Sequence, residues 1–273
     1  MRSDIALITF NTVPRVNLTL KYERLGPMAI ENHRWYCEHH GYNFIDEVPV
    51  NPDRPASWAK VPAILRALED HRWVVWADSD TLVFNTSFDL RNFCDARFDV
   101  VAQCPVAYLQ PLGWTTEHSL EAMRLNTGVF MVRNSRWSRD LLETSYAQKQ
   151  FISSGEVWNG IGEQEAILEV LRQYPEDFHR IHYVQNLQSH PKCRSQDDIF
   201  VHFYGNHARH RIPESECLEV IQRWEQCVRQ RRDFPDDIAR FHWSCIQNKS
   251  QDGHFDRGGP ERFFYSQSEI GIT

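Results

Sequence analysis

Two aspartates one residue apart, Asp78 and Asp80, close the apolar run Trp73-Val-Val-Trp-Ala77. A run of Val, Trp and Ala bounded by acids reads as a strand buried on both faces. Its end carries the aspartates to the carboxyl edge of an open α/β sheet, where such sheets bind ligands. Two carboxylates this close repel each other unless a cation lies between them. Hard oxygen donors at this spacing suit Mn²⁺ or Mg²⁺, particularly one shared with a phosphate. A solvated Asp-Ser-Asp turn after a strand reads the same way locally, so the rest of the chain has to decide.

The elements that must position this pair are legible on either side of it. Ile5 to Phe10 reads as a first strand, and Thr9 and Asn11 fall at its end. Pro27 opens a helix that runs to about His40, with Gly41 past its end. Tyr42 to Ile45 is a second strand. Trp58, Val61, Leu65 and Leu68 mark one face of a second helix, which tolerates Pro62 only in its first turn. The aspartate strand comes third. Strand, helix, strand, helix, strand is a mononucleotide-binding pattern, and right-handed crossovers place the three strand ends on one edge. Further strands are expected at 98–103, 128–132, 178–184 and 199–204, a helix capped by Ser135, another through Ile167 and Leu171, and a long one over 215–232.

Composition narrows the class. A net charge of −7 argues against a general nucleic-acid binder. No apolar run approaches the ~18 residues a membrane span needs. Seven cysteines without a Cys-x-x-Cys spacing fit a reducing compartment, so a cytoplasmic protein is expected. Aromatic residues at 12% supply flat apolar faces on which sugar rings stack, or simply an aromatic-rich core.

Several chemistries drop out. The chain has no Gly-x-Gly-x-x-Gly after a strand, no Walker A loop, no Gly-x-Ser-x-Gly elbow and no His-Glu-x-x-His. A calcium loop starting at Asp78 would place Leu82 and Val83 where an oxygen ligand and a glycine are needed. His190, Cys193, His207 and His210 form only a loose zinc pattern split across a strand. Asp78-Ser-Asp80-Thr-Leu82 also resembles the first motif of haloacid-dehalogenase-type phosphatases, in which the first Asp attacks phosphorus. That family places a later acidic pair at a strand's carboxyl end, whereas Asp197-Asp198 here precede a strand.

A different match accounts for more of the chain. Trp58-Ala-Lys60-Val-Pro62 precedes the aspartate strand, and Asn126-Thr-Gly-Val-Phe-Met-Val-Arg-Asn-Ser-Arg-Trp137 follows it. Glu163-Gln164-Glu-Ala-Ile167 and Val201-His-Phe-Tyr-Gly205 come next. In this order they resemble the family 34 glycosyltransferases, which include galactomannan galactosyltransferases, xyloglucan xylosyltransferases and fungal mannosyltransferases. The resemblance spans roughly residues 4 to 210. It implies an α/β fold of GT-A type, a Rossmann-like nucleotide-sugar-binding architecture with a mixed central sheet flanked by helices. Residues 1–210 would form that domain, with 211–273 as a helix and polar tail packed on it.

The resemblance also implies an activity: metal-dependent transfer of a hexose or pentose, with retention, from a nucleotide sugar to a carbohydrate acceptor. A UDP-sugar is expected ahead of a GDP-sugar, and Mn²⁺ ahead of Mg²⁺. Carried over, Asp78 faces the donor's ribose and sugar and joins Asp80 and His202 around the metal, His202 coming from a late strand beside the aspartate strand. Thr9, Asn11, Lys60, Ser79, Asn126, Thr127, Gly128, Gly205 and His207 line the donor site. Glu163 and Gln164 are the catalytic candidates, Glu163 standing where the family usually has aspartate. His207 stands where the family has a lysine near the diphosphate. The loop from Gln110 to Glu117, with Trp114, is expected on the acceptor side. A phosphatase and a sugar-binding protein without turnover remain the alternatives. The sequence leaves the donor sugar, acceptor, linkage and oligomeric state open.

Overall fold

The structure, a computed structural model, describes residues 4–11, 25–46, 48, 51, 53–106, 124–152, 162–189, 195–203, 222–223 and 225–231. Its centre is a six-stranded mixed sheet built from β1 (Ile5–Ile8), β2 (Asn43–Ile45), β3 (Trp73–Ala77), β5 (Val100–Gln103), β6 (Val129–Arg133) and β7 (Ile181–Val184), in the order β2-β1-β3-β6-β5-β7. β1 pairs in parallel with both β2 and β3, as the alternating strand–helix pattern requires, and β6 runs antiparallel between β3 and β5. The carboxyl ends of β1, β3, β5 and β7 therefore share one edge with the amino end of β6.

The continuous apolar sequence of β3 follows from burial on both faces. Val74 and Trp76 pack into one core, with residues of helices α2 (Lys60–Ala67), α3 (Arg136–Ala147) and α4 (Gly162–Gln173). Trp73, Val75 and Ala77 pack into the other, with Tyr36 and Cys37 of α1 (Gly26–His40). Pro27 lies in the first turn of α1, and Gly41 closes it in the left-handed region at φ 68°, as the sequence predicts. Pro62 falls in the first turn of α2, where the missing N–H costs nothing. Ser135 caps α3 by accepting from the Ser138 N–H. The segment 178–184 is a strand only from Ile181; Pro175–Arg180 coil as a 3₁₀ helix first.

A second, three-stranded sheet was not legible in the sequence. It contains β4 (Thr81–Val83), β8 (Gln188–Ser189) and β9 (Phe200–His202), in the order β4-β9-β8. The chain leaves β3 through a turn at Asp78, whose carbonyl accepts from the Thr81 N–H at 3.0 Å, and continues into this new sheet. His202 consequently lies opposite Thr81 on β4, just after the aspartates, rather than beside the aspartate strand itself. The outer edge of β4 is closed by a side chain. Asn32 of α1 donates to the Val83 carbonyl at 3.2 Å and accepts its N–H at 2.7 Å, satisfying a buried strand edge as a neighbouring strand would. Of the C-terminal segment, Cys227 and Val228 pack with Met28 and Ala29 of α1 and with Leu82 and Val201 of the second sheet.

His33 lies between these layers, fully buried, with its ring edge-on to Phe200. Burial pushes its pKa down to about 3, against a smaller opposing effect of Thr81. The folded protein thus keeps His33 neutral where an unfolded histidine takes up a proton. Below the unfolded value of 6.5, stability is lost as pH falls, and the loss continues toward the folded value. At pH 4.5 this amounts to about 2–3 kcal/mol relative to pH 7. His33→Gln is expected to remove most of that acid-dependent loss. Denaturant midpoints at the two pH values check this; equal losses in both proteins would exclude His33 as the cause.

Candidate active site

The shared sheet edge brings together residues from six parts of the chain. Asp78 follows β3, and its N–H donates to the Gly128 carbonyl at 2.8 Å, one step before β6. Asn11, after β1, accepts from the Ser79 hydroxyl at 3.2 Å and so ties the β1 end to the aspartate turn. Thr9 is buried, and its N–H donates to the Ile45 carbonyl of β2 at 3.0 Å. Asn126 turns its side-chain oxygen to the Gly128 N–H at 2.9 Å, and Thr127 donates its N–H to the Gln164 side chain at 3.0 Å.

Asp78, Asp80 and His202 converge, each offering a ligand atom within 4.8 Å of the other two. His202 Nε2 is 3.3 Å from Asp80 Oδ1. Burial raises the Asp78 carboxyl above its ordinary range. Lys60 and His202 pull it down, and the neighbouring Asp80 charge pushes it further up.

Lys60, expected to contact the donor, is instead buried at the junction of two carboxylates. Its ammonium donates to Glu163 Oε1 at 3.0 Å, to the Thr127 carbonyl at 2.9 Å and to the Thr127 hydroxyl at 3.2 Å, and it stands 3.4 Å from Asp78 Oδ1. Burial alone would lower its pKa; the Asp78 and Glu163 charges outweigh burial and hold it above the ordinary lysine value. Glu163 lies in the first turn of α4. Its second oxygen, Oε2, is buried with no hydrogen-bond partner among the described residues. Three carboxylates and one ammonium leave two formal negative charges within this cluster, the complement of one divalent cation. Carboxylate oxygens and an imidazole nitrogen are also the donor types that suit Mn²⁺ or Mg²⁺, so the residues fit such an ion.

Gly128 has a role its sequence context did not reveal. A Cβ there would come within 2.0 Å of His202 Cε1 and 2.5 Å of Nδ1, so the imidazole packs directly on the glycine backbone. Gly128→Ala must displace the ring from Asp80. Mn²⁺ affinity is expected to fall at least about tenfold, with a stability loss of about 1–3 kcal/mol from overpacking. Unchanged Mn²⁺ binding by titration calorimetry would contradict this placement.

Of the sequence-predicted site residues, Thr9, Asn11, Lys60, Asp78, Ser79, Asp80, Asn126, Thr127, Gly128, Glu163, Gln164 and His202 all lie at this edge or are hydrogen-bonded to residues that do. Gly205 and His207 fall outside the described residues, as do the loop with Trp114 and the loose zinc candidates His190, Cys193, His207 and His210. The sequence reading missed Gln188, whose side chain bonds His202, because nothing in its local spacing marks it.

The mixed sheet, its flanking helices and a two-aspartate turn at the sheet edge define a GT-A glycosyltransferase fold. A similar fold occurs in the crystal structure of a glycosyltransferase involved in the glycosylation of the major capsid of PBCV-1. The two share 19% sequence identity and superpose with a TM-score of 0.53 over 75% of this chain and 96% of that one. Residues 3–95, from β1 through the aspartate turn, match the galactosyl transferase GMA12/MNN10 family, glycosyltransferase family 34. Glycosyltransferase 6 of Arabidopsis thaliana is 30% identical over 115 residues, which cover 40% of this chain and 24% of the relative. Over this first third of the chain the protein is similar to the family 34 glycosyltransferases. It spans about a quarter of the length of the curated relatives it matches. The family match contains Lys60, Asp78 and Asp80; Asn126, Glu163 and His202 lie beyond it and join the site through the fold.

Proposed function

We propose that this protein is a metal-dependent, retaining glycosyltransferase that moves a hexose or pentose from a UDP- or GDP-sugar, UDP preferred, to a carbohydrate acceptor. The observation that carries the reading is the convergence of Asp78, Asp80 and His202 at the sheet edge, beside the buried Lys60–Glu163 pair. Asp80 and His202, with Asp78, would hold Mn²⁺, or Mg²⁺ in its place. The bound cation supplies charge neutralisation of the nucleoside diphosphate that leaves. Asn11 and Ser79 stand by the nucleotide, and Asn126, Thr127 and Gly128 border the transferred sugar. Lys60 serves the donor indirectly, by holding the Glu163 and Asp78 side chains in place. Glu163 presents its unpartnered Oε2 toward the reacting carbon, either as nucleophile or as a fixed negative charge beside developing positive charge.

Residues 211–273 belong to the same domain in this reading, as the packing of Cys227 and Val228 on α1 supports. A cytoplasmic location belongs to it as well. No helix among the described residues is long and apolar enough to cross a membrane. The phosphatase alternative is not favoured by the geometry. Asp198 caps a turn before β9, accepting from the Ser195 N–H, and so lies at the strand's amino end.

A thermal-shift panel of UDP- and GDP-sugars, with and without Mn²⁺, tests the reading, because a ligand that binds only the folded state raises apparent stability. Mn²⁺-dependent stabilisation followed by release of nucleoside diphosphate supports transfer. Binding of sugars without turnover would make the protein a lectin-like module. Release of phosphate from a monoester would support the phosphatase instead.

A further inference from the structure

We infer that Gln188 is a positioning residue that locks the His202 ring in its Nδ1–H tautomer and turns the Nε2 lone pair onto the aspartates. The assignment follows from counting donors. Gln188 is fully buried, and its side-chain nitrogen lies 2.8 Å from the Val129 carbonyl and 3.3 Å from the Asn126 carbonyl. Carbonyl oxygens only accept, so the atom facing them must be the amide nitrogen, and both its hydrogens are committed. The atom left to meet His202 Nδ1, at 3.0 Å, is therefore the amide oxygen. An oxygen there requires a hydrogen on Nδ1. In the neutral ring Nε2 then carries no hydrogen, and this is the nitrogen 3.3 Å from Asp80 Oδ1.

The backbone holds this clamp in place. Gln188 and His202 lie on adjacent parallel strands of the second sheet, with Gln188 opposite Phe200, so both side chains rise from the same face. The Gln188 N–H donates to the Gln103 side chain at 2.9 Å, which anchors the residue to the end of β5 in the large sheet. With Gly128 packed against the other side of the ring, His202 has neither room nor a hydrogen-bonding reason to flip.

The consequence is specific to metal binding, and here it rests on the function proposed above. A carboxylate oxygen and an imidazole lone pair at this distance repel one another; Asp80 and His202 would both serve as ligands to a divalent cation, whose charge would offset that repulsion. An Nε2–H tautomer would instead donate to Asp80 and occupy both ligands. Partners that fix a ligating histidine in this way typically change metal affinity 10- to 100-fold when removed.

Long-range ¹H–¹⁵N spectra of the metal-free, ¹⁵N-histidine-labelled full chain at pH 8 report which ring nitrogen carries the proton. The His202 signals are identified by their loss in His202→Ala. The expected result is a single Nδ1–H tautomer in the wild type. In Gln188→Met a mixture or Nε2–H should appear, with Mn²⁺ affinity reduced 10- to 100-fold. Gln188→Glu, which keeps an acceptor, should retain Nδ1–H. An Nε2–H tautomer in the wild type would overturn the inference, even if no variant folds, and so would an unchanged Nδ1–H tautomer in Gln188→Met. A wild-type protein that shows Nδ1–H but binds no Mn²⁺ would remove the metal-dependent function while leaving the clamp established.

Discussion

On the function proposed above, UDP or GDP stabilises this protein in a Mn²⁺-dependent way, and Asp80→Ala and His202→Ala are each expected to abolish that stabilisation. A nucleotide at a hundred times its Kd stabilises by about 2.7 kcal/mol, roughly 5–10 °C in Tm for a chain of this size. That whole increment should vanish, because the three ligand atoms lie together and no fourth protein donor joins them among the described residues. Metal-free stability separates this from a folding defect. Asp80 raises the Asp78 carboxyl through like-charge repulsion, so Asp80→Ala relieves a strain and should leave the metal-free Tm unchanged or slightly higher. His202→Ala empties the space above Gly128 and should lower it modestly. Full Mn²⁺-dependent stabilisation in both variants would remove the pair from the metal site.

Glu163→Gln should reduce transfer by about 10²–10³-fold or more while changing nucleotide affinity little. The substitution keeps size and hydrogen bonding but removes the charge that faces the reacting carbon in the proposed mechanism. Lys60 keeps its bonds to Thr127 and its approach to Asp78, so the local structure has reason to persist. Lys60→Met is the contrasting case. It strands the buried Glu163 carboxylate, and leaves the half-buried Asp78 without its lysine partner, which costs about 3–5 kcal/mol. Adding Glu163→Gln to Lys60→Met should recover part of that stability, since one of the stranded charges is gone. Steady-state kinetics with urea unfolding distinguishes the two effects: lost kcat at unchanged stability for Glu163→Gln, lost stability for Lys60→Met. A sugar trapped on Glu163 would establish a covalent double displacement. Full activity in Glu163→Gln would eliminate the residue and leave Gln164, bonded to the Thr127 N–H, as the sugar contact.

The sequence by itself determined the elements and one functional edge. The uninterrupted apolar run of Trp73–Ala77 reads as a strand buried on both sides, and the alternating strand–helix order before it reads as parallel strands with their ends on one edge. Those two facts place Asp78, Asp80, Thr9 and Asn11 at one edge without coordinates. Only the tertiary structure decided what meets them there. Periodicity reports which face of an element is buried, not which distant element covers it. The pairing of β4 with β9 that sets His202 against Asp80 is therefore invisible locally, and so is the second sheet. The same holds for polar side chains that burial forces to find partners. The family resemblance puts Lys60 in the donor site, but nothing local shows that its ammonium, taken out of water, sits between Glu163 and Asp78. Gln188 reads as an ordinary glutamine, and it acquires its place only where two carbonyls and one imidazole exhaust its hydrogen-bonding capacity.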